Sequence, residues 1–225
     1  MTPWILLDSA QVPGNGGELR LYQRGDEFSI KLEGRGELMN SRVHGSEDAL
    51  AEHTCARLSD CEKPRLLIGG LGMGFTLAEA LRHIGSQAQV VVAELVPEVV
   101  TWNRGPLGKF AGNPLEDLRV IVHEGDVARI IDAEQQAYDA ILLDVDNGPE
   151  GLTRKENDRL YDIDGLNAAY AALRANGVLA VWSAGPDQKF LQRLRKTGFE
   201  VEEIRVRSRG AKGARHIIWF ARRCV

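Results

Sequence analysis

The eleven residues from Arg65 to Phe75, R-L-L-I-G-G-L-G-M-G-F, constrain this 225-residue chain more than any other stretch. A short apolar run, Leu66 to Ile68, gives way to four glycines within six residues and then to a segment with helical patterning. Strand, glycine turn and helix in that order let a backbone come close to a nucleotide. They also aim the free amides of a helix N-terminus at it.

The chain beyond this stretch repeats the pattern. β-branched or apolar runs at Val90 to Ala93, Arg119 to His123, Ala140 to Leu143 and Val178 to Trp182 each end at a polar residue or turn. Helical periodicity falls between and around them, at Phe75 to Ile84, Pro97 to Arg104, Val127 to Glu134, Leu160 to Leu173 and Asp187 to Thr197. Continuous apolar strands alternating with amphipathic helices imply a parallel sheet covered on both faces. The last two strand candidates, Glu200 to Arg207 and Arg215 to Ala221, are separated by only seven residues. A parallel pair needs a crossover of about a dozen residues or more, so these two form an antiparallel hairpin. The expected fold class is α/β, a Rossmann-like, mostly parallel, seven-stranded sheet of the methyltransferase type with a terminal antiparallel hairpin.

Upstream, Glu18 to Gln23 and Glu27 to Glu33 alternate polar and apolar residues around Arg24-Gly25-Asp26, a hairpin signal. Residues 1–45 therefore read as a small antiparallel β meander and residues 46–225 as the Rossmann-like body. Ser46 to Asp60 reads as a helix capped by Ser46, with Glu47 and Asp48 at the positive end of its dipole.

Composition excludes several classes. The longest apolar runs are too short to span a bilayer, and the N-terminus lacks the pattern of a secretory signal. Cys55, Cys61 and Cys224 have neither disulfide-framework nor zinc-site spacing, and the five histidines are scattered. The expectation is a cytoplasmic protein with no metal and no membrane partner. A net charge of −4 gives no general reason to expect nucleic acid. The basic residues Arg205, Arg207, Arg209, Lys212 and Arg215 have no interleaved aromatics and read as a solvated hairpin that protects a sheet edge.

Four positions carry the chemistry. Gly70-x-Gly72-x-Gly74 is not the dinucleotide spacing G-x-G-x-x-G, and it favours an S-adenosyl cofactor over NAD or FAD. A ligand-free structural turn is the plain alternative. Glu94, 20 residues beyond Gly74 and followed by Leu95, stands at a strand end where a carboxylate can accept both ribose hydroxyls. Asp126 and the amide of Val127 suit an adenine edge, although Asp126 is equally an N-cap. Asp144 ends the Ala140 to Leu143 strand, beside the point where strand order should reverse. There it can face a sulfonium, orient a nucleophile or remove its proton.

From Arg65 to Leu179 the sequence resembles the spermidine synthase (polyamine aminopropyltransferase) branch of the class I S-adenosylmethionine-dependent methyltransferase superfamily. The matching residues are L-I-G-G in the glycine loop, Glu94, Gly125-Asp126, Y-D-A-I-L-L-D ending at Asp144, Leu160-Tyr161 and A-L-R-A-N-G-V-L at 172 to 179. The resemblance implies a homodimer, a small-molecule acceptor, and acceptor contacts from His53 and from the position of Asn147, while Asp146 and Asn147 on local grounds open a turn-rich loop placed to shape the acceptor pocket.

The chain also departs from the family pattern. Gly72 stands where the family has an aminopropyl-holding Asp, and Asn147 replaces the second acid of D-x-x-D. Leu166 replaces a Tyr, and Val43 replaces a Gln. An ammonium in a closed site needs acidic partners. On that ground the sequence favours a methyltransferase-like enzyme using S-adenosylmethionine, with Asp144 as its catalytic residue. Two alternatives stay open. One is aminopropyl transfer from decarboxylated S-adenosylmethionine to an unusual amine, leaving methylthioadenosine. The other is a non-catalytic nucleoside-binding scaffold.

Overall fold

The computed structural model of the chain describes residues 2–14, 16–145, 158–209 and 212–224. Among these residues it contains two sheets. The first runs β1 (Ile5–Gln11), β2 (Glu18–Arg24), β3 (Glu27–Leu32) and β4 (Gly36–Asn40) in sequence order, with every pair antiparallel. After it come α1 (Gly45–Ala56), β5 (Arg65–Gly69), α2 (Phe75–His83), β6 (Gln89–Glu94), α3 (Pro97–Arg104), β7 (Val120–Glu124), α4 (Val127–Ala133) and β8 (Tyr138–Leu143). The remaining elements are α5 (Asp158–Tyr161), α6 (Ile163–Ala172), β9 (Leu173–Ser183), α7 (Gln188–Lys196), β10 (Phe199–Arg209) and β11 (Lys212–Arg223).

The second sheet has the order β10-β11-β9-β8-β5-β6-β7. Strands β7, β6, β5, β8 and β9 pair in parallel, while β11 is antiparallel to both β9 and β10. This is the expected seven-stranded arrangement. Strands β5 and β8 read as continuous apolar runs because both faces of the sheet are covered. Leu66, Leu67, Ile68, Ala140, Ile141 and Leu142 are all fully buried.

The strand order reverses at β5, whose neighbours β6 and β8 lie on opposite sides. Hydrogen bonds continue past the strand ends and align them. The Gly70 amide donates to the Ala93 carbonyl at 2.9 Å, Asp144 to Gly69 at 2.9 Å, and Gly125 to Glu94 at 2.7 Å. Residues 144, 70, 94 and 125 are thereby brought side by side along the carboxyl edge of the sheet, where open α/β sheets bind ligands.

The small sheet packs over that edge, and one hydrophobic cluster joins the two sheets. It includes Leu21, Phe28 and Ile30 from the small sheet and Leu66, Ile68 and Val92 from the large one. Trp102 of α3 donates from Nε1 to Asp8 Oδ2 at 2.7 Å, which ties β1 to the larger body. No helix among the described residues is long and apolar enough to cross a membrane.

Two helix expectations are corrected. The N-cap of α1 is His44, not Ser46, whose hydroxyl instead donates to Glu47 at 2.6 Å. The span from Leu160 to Leu173 is not one helix. Asp162 caps a new start by accepting from the Gly165 amide at 2.8 Å, which separates α5 from α6.

Candidate functional site

A cavity of about 130 Å³ lies at the carboxyl edge beside the reversal point. Gly70, Gly72, Glu94, Leu95, Asp126, Val127 and Asp144 line it from the large sheet, and Leu19, Ile30, Leu32 and Met39 close it from the small one. Of the residues expected to hold the cofactor, all but Gly74 thus share one cavity.

The glycine loop explains this. Gly70 has φ +88°, and a Cβ there would collide with the Asp144 carbonyl oxygen, so only glycine lets β5 turn against β8. Gly74 caps α2 with φ +82° and faces the side chains of Asn103 and Pro114 rather than the cavity. Its role is to start the helix. Asn103 is buried and donates from Nδ2 to the Gly72 carbonyl at 2.8 Å and to the Val99 carbonyl at 2.9 Å, so α3 holds the loop in place.

Glu94 is buried at the end of β6. Its Oε2 accepts from the Leu71 amide at 2.9 Å and its Oε1 from the Val96 amide at 2.9 Å. Burial pushes its pKa up, and these amides oppose the shift. The Gly72 and Leu95 amides also act on this carboxylate, which lines the cavity as an acceptor suited to hydroxyl donors. Asp126 caps α4 by accepting from the Ala128 amide at 2.9 Å through Oδ1, and it lines the cavity as well. Capping and ligand contact are therefore compatible here.

Beyond Gly72 a second cavity of about 90 Å³ opens. It shares Leu38, Met39, Gly72 and Asp144 with the first and adds Asn40, Glu47, Phe75, Thr76 and Trp182, among others. Asp144 Oδ2 accepts from the Thr76 hydroxyl at 2.5 Å. Burial pushes the Asp144 carboxyl up to about 7, the neighbouring Glu47 adds to that, and the Thr76 hydroxyl opposes it. Glu47 is itself pushed up, chiefly by burial. Neither cavity has a Lys, Arg or His among its described lining residues.

His53 does not reach this region. It sits on α1 with its ring 6.2 Å from that of Phe220 on β11, and it lines neither cavity. One face of α1 cannot serve both the sheet and the site, and His53 lies towards the sheet. Asp146 and Asn147 lie outside the described residues. Sequence reasoning missed Glu47, Thr76 and Trp182. Glu47 reads as an ordinary acid at a helix start, and nothing in the sequence marks Thr76. Trp182 follows the same strand-end logic as Glu94 and Asp144, one strand further along.

Comparison with known proteins bears on this arrangement. The family model described as the spermine/spermidine synthase domain matches residues 50–198. The chain belongs to the spermine/spermidine synthase domain family. Among curated relatives, polyamine aminopropyltransferase 2 of Hyperthermus butylicus is 26% identical over 158 residues, covering 70% of this chain and 50% of the relative. The polyamine aminopropyltransferase 2 of Pseudomonas aeruginosa is 31% identical over 126 residues, covering 53% and 34%. This spermidine synthase-family chain spans half or less of the length of those relatives. Among solved structures, spermidine synthase from Thermotoga maritima superposes with a TM-score of 0.77 at 18% identity, covering 97% of this chain and 72% of that one. A spermidine synthase in complex with the transition-state analogue AdoDATO gives 0.76 at 18% identity with the same coverage. These two likenesses establish the fold.

Proposed function

We propose that this chain is an S-adenosyl-dependent transferase of the aminopropyl-transferring kind, with decarboxylated S-adenosylmethionine as donor and an amine as acceptor. Within it, residues 46–225 form the nucleoside-binding body and residues 1–45 its cover. Glu94 takes the ribose hydroxyls, Asp126 and the Val127 amide the adenine edge, and Gly70 and Gly72 the approach of the nucleoside to the backbone. A cytoplasmic homodimer belongs to the same reading.

The observation that carries the donor choice is the acidic lining at the reacting end, which holds no side-chain cation among the described residues. The methionine carboxylate of S-adenosylmethionine would lie against Asp144 and Glu47, and no side-chain cation among the described lining residues would receive it. A buried charge without a partner costs several kcal/mol, on the order of 3–5. The decarboxylated tail carries only positive charge and is favoured there. This reverses the preference drawn from Gly72 alone. The curated relatives, named as aminopropyltransferases, support the same choice.

In the reaction the acceptor nitrogen forms a bond to the carbon attached to the sulfonium. The carbon–sulfur bond breaks with its electron pair going to sulfur, and methylthioadenosine leaves. The proton released from nitrogen passes to Asp144, whose pKa of about 7 suits a base at neutral pH.

Gly72 is the observation that favours the methyl-transfer reading. However, Gly72 has φ +52°, and a Cβ there would stand 3.1 Å from Met39 Sδ. A side chain at 72 would adopt a backbone conformation that L-residues rarely take, with the flexible Met39 giving way by a few tenths of an ångström, so glycine has a local conformational reason independent of the donor.

Calorimetric titration with methylthioadenosine, decarboxylated S-adenosylmethionine and S-adenosylmethionine tests the reading. The first two bind, S-adenosylmethionine binds more weakly, and Glu94→Ala loses nucleoside binding. Absence of binding by all three, or unchanged binding in Glu94→Ala, would refute it.

A further inference from the structure

The reaction proposed above needs a place for the acceptor, and resting on that reading, we propose that Glu47 is the second acceptor-binding carboxylate of this site. It and Asp144 bracket the ammonium of an amine whose carbon stem lies against Phe75 and Trp182.

Three observations carry this. First, Glu47 reaches the second cavity from the first turn of α1, and Asp144 reaches it from the end of β8. Two elements far apart in the chain thus direct carboxylates into one small space, with Thr76 from α2 holding Asp144 in position. Second, no ion pair neutralises either carboxylate among the described residues. Glu47 accepts from the Ser46 hydroxyl at 2.6 Å, and Asp144 from that of Thr76. Two like charges in a semi-enclosed site repel unless a proton or a cation lies between them. A cationic ligand resolves this and is recognised by it. Third, the cavity has aromatic walls beside its acids: Phe75 and Trp182 line it, and such rings take an alkyl stem or a neighbouring cation against their faces.

The rest of the lining suits an aliphatic stem. Leu38, Met39, Met73 and Phe75 are apolar, and Phe75 is braced by His44, whose ring stacks on it at 4.1 Å. His44 pairs with Asp48, its Nδ1 2.8 Å from Asp48 Oδ2, and the two act on Glu47 in opposite senses, His44 favouring and Asp48 disfavouring its ionised form. The second acid of the family's D-x-x-D, which is Asn147 in this chain, is thereby replaced by one delivered from α1. Gly72 lines both cavities, which leaves Glu47 open access to the shared space.

The test uses the full chain saturated with methylthioadenosine and titrated calorimetrically with 1,4-diaminobutane, with 1,4-butanediol as the uncharged control of the same shape. The diamine binds and the diol does not. Glu47→Gln weakens diamine binding roughly ten- to hundred-fold, the range for a lost charge-assisted hydrogen bond, and leaves methylthioadenosine binding unchanged. Glu47→Asp retains part of the affinity, which separates loss of charge from loss of fold. Diamine affinity also falls as pH drops through about 7 and Asp144 gains a proton. In Glu47→Gln that midpoint moves to lower pH because the like charge is gone, while His44 and Asp48 are unaltered. Equal diamine binding by Glu47→Gln and wild type, or equal binding of diol and diamine, overturns the assignment of Glu47 alone. Failure of methylthioadenosine to bind the wild type instead overturns the functional reading on which it rests.

Discussion

The hydroxyl of Thr76, in the first turn of α2, donates to Asp144 Oδ2 at 2.5 Å and so connects the glycine-loop helix to the reacting end of β8. Because this bond favours the ionised carboxylate, its loss has a defined sign. Thr76→Val should raise the pKa of Asp144 further and move the acidic limb of the rate–pH profile to higher pH. The bond is worth about 1.5–3 kcal/mol when one partner is charged. A profile unchanged in Thr76→Val would show that the hydroxyl does not tune Asp144.

Stability should depend on pH in the direction opposite to that of an ordinary salt-bridged carboxylate. Asp144, Glu94 and Glu47 all have folded pKa values above their usual ones. Between the unfolded Asp value of 3.8 and about 7, the folded state holds a proton at Asp144 that the unfolded state has released. Stability contributed by this group is therefore full below 3.8 and is lost as pH rises towards 7. Melting temperatures of wild type and Asp144→Asn, measured across that window, should diverge in favour of the variant as pH rises. Parallel curves would contradict the burial of this charge.

Much of this site was legible in the sequence, for a physical reason. Parallel strands end in register, so polar residues at the ends of consecutive apolar runs must come together. Gly70, Glu94, Asp126 and Asp144 were found in this way. Gly74 and His53 were misplaced because spacing alone does not say which face of a turn or helix meets the cavity. Glu47 could not be found by strand-end reasoning, since it reaches the site from α1. Its approach depends on how α1 packs against α2 and on the cover formed by the small sheet.

Gly70→Ala tests the close contact between β5 and β8. The new Cβ meets the Asp144 carbonyl in a backbone conformation that L-residues rarely adopt. Left-handed geometry costs about 1–2 kcal/mol, and overpacking about 1–3 kcal/mol more. Urea denaturation should show a loss in that combined range together with weakened nucleoside binding. Near-wild-type stability would mean that the loop relaxes freely.

Asn103→Ala removes the two hydrogen bonds that α3 makes to the loop and to its own turn. Leaving the Gly72 carbonyl unpartnered should cost about 1–3 kcal/mol and weaken methylthioadenosine binding, although Asn103 lines neither cavity. Chemical denaturation and calorimetry on the same preparation would separate the two effects. Loss of stability with unaltered affinity would confine Asn103 to a structural role.

The most direct measurement identifies the product. The protein is incubated with an amine and either decarboxylated S-adenosylmethionine or S-adenosylmethionine, and the nucleoside released is identified by mass spectrometry. Aminopropyl transfer requires amine-dependent methylthioadenosine from the decarboxylated donor, abolished in Asp144→Asn. Amine-dependent S-adenosylhomocysteine from S-adenosylmethionine, with the decarboxylated donor left intact, would contradict it.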